Sequence, residues 1–60
     1  MTNEIETVWF HDSVKVTHED NMNSTLHVDG KVKKFYVGET AWMDAERDGY
    51  DLAIERMYRK

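Results

Sequence analysis

The chain contains no cysteine and no proline, and only three of its 60 residues are glycine. Without cysteine there can be no disulfide, no thiolate metal cluster and no thiol nucleophile. Without proline, and with 33% charged and 40% hydrophobic residues, the composition is globular rather than disordered. No apolar run reaches the roughly 18 residues of a membrane span, and the start of the chain is acidic where a signal peptide is basic. We therefore expect a single small domain over residues 1–60, cytoplasmic and without membrane contact.

The small size and the charge of the chain limit its partners. At this length folding buries only about 60% of the surface that the unfolded chain exposes, so stability is marginal and a homodimer or a bound partner would add to it. The net charge of −4 disfavours nonspecific attraction to phosphate groups. The charges are uneven, however, because a cluster of three lysines, Lys31, Lys33 and Lys34, separates two acidic regions.

The first strand pattern begins at Val8, where apolar and polar side chains alternate with a period of two. It allows one long strand with a bulge near Asp12, or two strands joined by a three-residue loop. We favour the hairpin, because a three-residue loop would pair Phe10 with Val14 and Val8 with Val16 and keep apolar side chains on one face.

A second hairpin is predicted over residues 25–37, with its turn at Asp29-Gly30, a pair that suits a type I′ turn. The register of this hairpin stays open. The polar residues 18–24 are typical of a loop that connects the two hairpins.

The last twenty residues predict an amphipathic helix from Ala41 to about Arg59, with Thr40 as its N-cap. Gly49 costs about 1 kcal/mol relative to alanine in the middle of a helix, so either a strand passes very close to it or the helix bends. The helical wheel gathers four carboxylates on one face, called the acidic face here: Asp44, Asp48, Asp51 and Glu55. The opposite face is apolar and carries Trp42, Ala45, Gly49, Leu52, Ala53 and Met57.

These patterns together predict an α+β domain: a three- or four-stranded antiparallel β-meander with one C-terminal amphipathic helix packed on one face. The predicted core comprises Val8, Phe10, Val14, Val16, Leu26, Val28, Phe35, Val37, Trp42, Leu52, Ala53 and Met57.

The acidic face is the first candidate site, because like charges four residues apart cost a helix a few tenths of a kcal/mol per pair. A functional interpretation is that Asp44, Asp48, Asp51 and Glu55 dock on a basic surface of a larger protein. The simpler interpretation is a solvated face that keeps the protein soluble. Trp9 and Tyr58 are candidate anchors for the same partner if they prove exposed, since both residue types are enriched among interface hot spots.

The alternative function is nucleic-acid binding by the second hairpin, in which Lys31, Lys33 and Lys34 contact phosphates and Tyr36 stacks on a base. The three histidines lack the spacing of a metal site, and no phosphate-binding loop or nucleophile motif is present. We therefore expect no metal, no cofactor and no enzymatic activity. The prediction is a non-enzymatic protein-interaction module, such as a small inhibitor or adaptor, with a homodimer as a further option.

Overall fold

Residues 4–58 are described by the structure, a computed structural model. They form one antiparallel sheet with the strand order β1-β2-β3-β4, followed by a single helix. The elements are β1 (Glu4–Trp9), β2 (Val14–Glu19), β3 (Ser24–Val28), β4 (Lys31–Tyr36) and α1 (Ala41–Tyr58). Helix α1 packs against β2, β3 and β4 on one face of the sheet. The predicted α+β meander is confirmed, with four strands. Within residues 4–58, no helix is both long and apolar enough to cross a membrane.

The hairpin of β1 and β2 has the predicted three-residue loop. Val8 pairs with Val16, and the backbone N–H of Phe10 donates to the carbonyl of Val14 over 2.7 Å. Asp12 and Ser13 in the loop both have positive φ, of 60° and 65°. The predicted pairing is thus confirmed, and apolar side chains of both strands face α1.

The predicted loop over residues 18–24 is shorter than expected. Strand β2 continues through Glu19 and β3 begins at Ser24, which leaves residues 20–23 for the turn. The backbone N–H of Glu19 closes this turn by donating to the carbonyl of Asn23 over 2.9 Å. Polar composition alone indicated a loop, but the ladder bonds of two adjacent strands outweigh that local preference. As a result, His18 pairs with Ser24 inside the sheet.

The hairpin of β3 and β4 turns as predicted but contains a β-bulge. Asp29 and Gly30 both have positive φ, of 57° and 81°, as a type I′ turn requires. His27 still pairs with Val32, but Leu26 pairs with Lys34, so Lys33 is an extra residue in β4.

The bulge decides which side chains of β4 face the helix, because a slip of one residue exchanges the two faces of a strand. Tyr36 is buried under α1, whereas Phe35 and Val37 are 69% and 78% exposed. The prediction that Phe35 and Val37 belong to the core is therefore wrong, and Tyr36 takes their place.

The core is built largely from small side chains. Its buried members are Val14, Val16, Leu26, Tyr36, Ala41, Ala45 and Ala53, with Phe10, Val28 and Leu52 packed against them. Met57, predicted to be buried, is 47% exposed, and Trp42 is only partly buried. The buried residues of α1 are Ala41, Ala45, Gly49 and Ala53, which recur every four positions. This row of small side chains allows the helix axis to approach the sheet closely.

At Gly49 the helix and the sheet approach each other closely. A Cβ atom added at this position would lie 2.9 Å from Cε2 of Phe10 and 3.1 Å from Cγ2 of Val16. The expectation that a strand passes very close to Gly49 is therefore confirmed.

Both ends of α1 are fastened by side chains. Thr40 precedes the helix, and its carbonyl accepts a hydrogen bond from the backbone N–H of Asp44. Its hydroxyl was predicted to accept from a backbone N–H, but in the structure it donates to the Asp44 carboxylate over 2.9 Å. Glu55 and Arg59, four residues apart, are also predicted from the sequence to form an ion pair, but Arg59 lies outside the described residues.

Near the C-terminal end, Arg56 joins the two hairpin turns. Its guanidinium donates to both carboxylate oxygens of Asp29, over 3.1 and 2.9 Å, and to the carbonyl of Asp12 over 3.0 Å. The hydrogen bonds from Arg56 lower the pKa of Asp29 below its usual value. One cation therefore holds the helix end over both turns.

Candidate protein interface

An open groove of about 420 Å³ lies between α1 and β4, the edge strand of the sheet. The residues that line it are Leu26, Lys33, Lys34, Tyr36, Asp48, Asp51, Leu52 and Glu55. The helix contributes three carboxylates to one wall and the strand contributes two ammonium groups to the other. Apolar and aromatic side chains separate the two charged walls.

Two local features of the chain produce this arrangement. Asp48, Asp51 and Glu55 follow one another at intervals of three and four residues, which places them on the same side of a helix. The β-bulge brings two successive lysines, Lys33 and Lys34, to the groove, although successive residues of a regular strand point to opposite faces.

The four predicted carboxylates have different surroundings. Asp44 accepts from the Thr40 hydroxyl and lies 3.5 Å from a guanidinium nitrogen of Arg47, outside the groove. Asp48 accepts the Tyr36 hydroxyl over 2.6 Å and lies 3.8 Å from Nε of Arg47. Asp51 and Glu55 are exposed and form no ion pair with any residue between 4 and 58. Among the described residues, the groove carboxylates without an ion pair are therefore Asp51 and Glu55, whereas Asp48 is engaged by Tyr36 and Arg47.

Tyr36 serves the fold rather than the surface. Burial, together with the hydrogen bond to the negatively charged Asp48, raises the pKa of Tyr36 above its ordinary value. The hydroxyl therefore stays protonated and donates to Asp48. Because Tyr36 is only 7% exposed, with the ammonium of Lys34 lying 5.1 Å from its ring centroid, its ring offers no free face on which a base could stack.

The two aromatic anchor candidates are exposed but lie apart from the groove. Trp9 is 67% exposed on the sheet face that α1 does not cover, and Tyr58 is 80% exposed at the end of α1. The structure thus brings together Asp48, Asp51 and Glu55, and it leaves Asp44, Trp9 and Tyr58 outside that group.

A buried histidine, predicted from the sequence to lie in a loop, connects the sheet and the helix. His18 has no exposed surface, and its ring stacks on Trp42 with the ring centroids 4.4 Å apart and an interplanar angle of 11°. Its Nδ1 lies 2.6 Å from Oγ of Ser24 and its Nε2 lies 2.6 Å from Oε2 of Glu46. The alternation of Val14, Val16 and His18 along β2 was the available signal for its inward position.

Serine, histidine and glutamate joined by two hydrogen bonds are also the groups of a hydrolytic triad. In this protein, however, the serine is buried and the carboxylate is exposed. Ser24 lies under α1 and is 1% exposed, whereas the side chain of Glu46 is 47% exposed. A substrate carbonyl therefore has no approach to the only nucleophile of the set. We interpret the two hydrogen bonds of His18 as a polar link between the sheet and the helix.

Comparison of the chain with protein-family models, with curated proteins and with solved structures found no match.

Proposed function

We propose that the protein is a non-enzymatic, cytoplasmic interaction module, a small inhibitor or adaptor, which docks the acidic wall of its groove on a basic surface of a larger protein. The observation that carries the proposal is the pair of exposed carboxylates, Asp51 and Glu55, held beside Asp48 on a rigid helix and free of ion pairs within residues 4–58. A partner's lysine or arginine would supply the ion pairs that Asp51 and Glu55 do not make within residues 4–58.

The lysines on the opposite wall of the groove make the surface selective. A purely basic partner surface would meet Lys33 and Lys34 as well as the carboxylates, and like charges placed opposite each other are unfavourable. The preferred partner therefore presents basic side chains towards α1 and neutral or acidic ones towards β4. Such complementarity mainly raises the association rate and fixes the orientation, and its effect weakens as salt screens the charges.

Charge reversal of the two unpaired carboxylates tests the proposal. Asp51→Lys with Glu55→Lys leaves the Tyr36–Asp48 bond in place, so the circular dichroism spectrum should match that of the wild type. We expect the double variant to lose the proteins that the wild type captures from a lysate, as identified by mass spectrometry.

A matched control carries Glu6→Lys and Glu39→Lys, two exposed positions away from the groove with the same change in net charge. The control should retain the captured proteins. Capture that survives reversal of the groove carboxylates, or that disappears equally in the control, would reject the proposal.

Nucleic-acid binding is the second candidate, favoured by the exposure of Lys31, Lys33 and Lys34 on one edge strand. Phosphate contacts predict an affinity that falls steeply with salt. Absence of measurable binding to DNA and RNA at low salt would eliminate this function.

A further inference from the structure

Helix α1 turns small residues towards the sheet and several large apolar ones towards solvent. It buries a row of its smallest residues against the sheet: Ala41, Ala45, Gly49 and Ala53. On the outside, Met43 is 68% exposed, Tyr50 is 59% exposed and Met57 is 47% exposed. Single exposed apolar residues are common on protein surfaces, whereas a continuous exposed row marks a site of interaction.

The exposed side chains of α1 follow a heptad pattern. Met43, Tyr50 and Met57 are separated by seven residues each, which is close to two helical turns, so they lie in one line along the helix. Arg47 and Ile54 lie between them and complete alternating intervals of four and three residues. We call these five residues the outer row. It extends over about 21 Å of the helix.

A second helix fits the outer row better than an extended segment does. An extended segment gains affinity from main-chain hydrogen bonds to the edge of a sheet, but the backbone groups in the middle of α1 are already bonded within the helix. A second helix has the same repeat as α1, so its side chains fit between those of the outer row at every turn. The heptad pattern therefore predicts a helix as the occupant.

The charged residues that flank the outer row are carboxylates. Asp44 and Asp51 flank it on one side and Glu46 flanks it on the other, at the positions that form ion pairs between packed helices and set the choice of partner. The cation within the row is Arg47, whose guanidinium nitrogens lie 3.5 Å from an oxygen of Asp44 and 3.8 Å from an oxygen of Asp48. A helix that packs on the row therefore meets negative charge on both sides.

These flanking charges discriminate between possible occupants. If two copies of α1 packed through their outer rows, the flanking positions of one copy would face those of the other, and carboxylate would meet carboxylate in either orientation. An amphipathic helix that lies on an anionic membrane carries lysine and arginine beside its apolar face, and carboxylates at those positions are repelled. The flanking charges are complementary only to a basic helix.

We infer that the outer row of α1 binds an amphipathic helix of the partner protein, with apolar side chains along its centre and lysine or arginine on both flanks. This inference rests on the proposed function and specifies its partner, because it makes the basic surface a helix. Asp51 belongs both to the acidic wall of the groove and to the flank of the outer row, and it forms no ion pair within residues 4–58. A basic side chain of the bound helix therefore reaches a carboxylate that the docking function uses.

A fluorescently labelled synthetic peptide of about 21 residues, or three heptads, tests the inference. This basic helix peptide carries leucine at the a and d positions, lysine at the e and g positions and alanine or glutamine elsewhere. One control has the same composition in a shuffled order that scatters the leucines around the helix, and a second control has glutamate in place of every lysine. We expect the wild-type protein to bind the basic helix peptide at least about tenfold more tightly than either control in fluorescence anisotropy, with a gain of helical circular dichroism on binding.

Serine substitution of the outer row tests its apolar contribution without changing any charge. We expect the triple variant Met43→Ser, Tyr50→Ser and Met57→Ser to bind the basic helix peptide about tenfold or more weakly than the wild type. Circular dichroism checks that the variant is folded. If it is not, Met43→Ser with Met57→Ser keeps the contact between the Tyr50 and Phe10 rings and serves in its place.

A matched control carries Trp9→Ser, Phe35→Ser and Val37→Ser, three apolar positions outside α1 that are 67%, 69% and 78% exposed. It should bind the basic helix peptide as the wild type does. Equal binding of the basic and the shuffled peptides, unchanged binding by the outer-row variant, or no binding of the basic helix peptide up to about 500 μM would overturn the inference. Self-association through the outer row, or its adsorption to phosphatidylcholine vesicles in preference to the peptide, would overturn it as well.

Capture from a lysate separates a failure of the inference from a failure of the proposed function. If the outer-row variant captures the same proteins as the wild type while Asp51→Lys with Glu55→Lys loses them, the inference is wrong and the proposed function stands. If capture survives the charge reversal, the proposed function is rejected and the inference with it. Loss of the captured proteins in both variants, but not in the matched control, supports both.

Discussion

Replacing Gly49 by alanine tests how closely the helix lies on the sheet. In an isolated helix this substitution is stabilising by about 1 kcal/mol, because glycine loses more backbone entropy than alanine on folding. In this structure the new methyl group would lie 2.9 Å from the Phe10 ring and 3.1 Å from a methyl group of Val16. Helix propensity and packing therefore make opposite predictions about the free energy of unfolding.

The structure indicates that packing prevails. Val16 is completely buried in a central strand and cannot retreat, whereas the partly buried Phe10 ring, 6.5 Å from the Tyr50 ring centroid, can move only by giving up packing. Overpacking a core typically costs about 1–3 kcal/mol. After the gain in propensity, we expect Gly49→Ala to destabilise the protein by about 1 kcal/mol, a fall of about 4–8 °C in Tm for a domain of this size.

Thermal and urea unfolding followed by circular dichroism measure this change. A double-mutant cycle with Phe10→Leu, which removes the ring atoms nearest to the new methyl group, isolates the contact. In the Phe10→Leu background the contact with Val16 remains, so alanine at position 49 should be less destabilising than in the wild type, with a coupling energy of about 0.5–1 kcal/mol. A higher Tm for Gly49→Ala in the otherwise wild-type chain would refute the close approach.

Three further substitutions have expected outcomes. His18→Phe leaves the buried Ser24 hydroxyl without its hydrogen-bond partner and should lower the free energy of unfolding by about 1–3 kcal/mol. Part of this loss should be recovered when Ser24→Ala is added. An equal loss in the single and the double variant would contradict this expectation. The raised pKa of Tyr36 contributes to the free energy of unfolding below pH about 10, and this contribution is lost as the pH rises further. The free energy of unfolding of Tyr36→Phe, measured by urea titration, should therefore lack this decline at alkaline pH. The lowered pKa of Asp29 contributes to the free energy of unfolding above pH about 4, and this contribution is lost as the pH falls through the pKa of the folded state. Arg56→Gln should therefore abolish the loss of stability that Asp29 causes at low pH. A variant whose stability falls at low pH as steeply as that of the wild type would argue against the ion pair.

Some features of this fold are specified by neighbouring residues, and others by residues far apart in the chain. Asp29-Gly30 specifies its turn through two neighbouring residues whose backbones tolerate positive φ. The helix follows from side chains three and four positions apart, which also accounts for the gathering of Asp48, Asp51 and Glu55. These signals act within a few residues and are therefore readable from the chain alone.

The β-bulge in β4 is not a local signal, since nothing in the succession of Lys33 and Lys34 distinguishes a regular strand from one with an extra residue. Its consequences are large, because it buries Tyr36, exposes Phe35 and turns both lysines towards the groove. The bulge depends on which register best packs the strand against β3 and α1, and that is decided over the whole sheet.

The inward position of His18 has the same origin. Its polar neighbours indicated a loop, but a strand position opposite Ser24 and a glutamate on the helix satisfy both ring nitrogens. By itself, the sequence determined the elements, their order and the helical gathering of the carboxylates, because each depends on periodicity along one segment. Only the tertiary structure decided which face of β4 is buried and which carboxylates lack an ion pair among residues 4–58, because these depend on contacts between residues far apart in the chain.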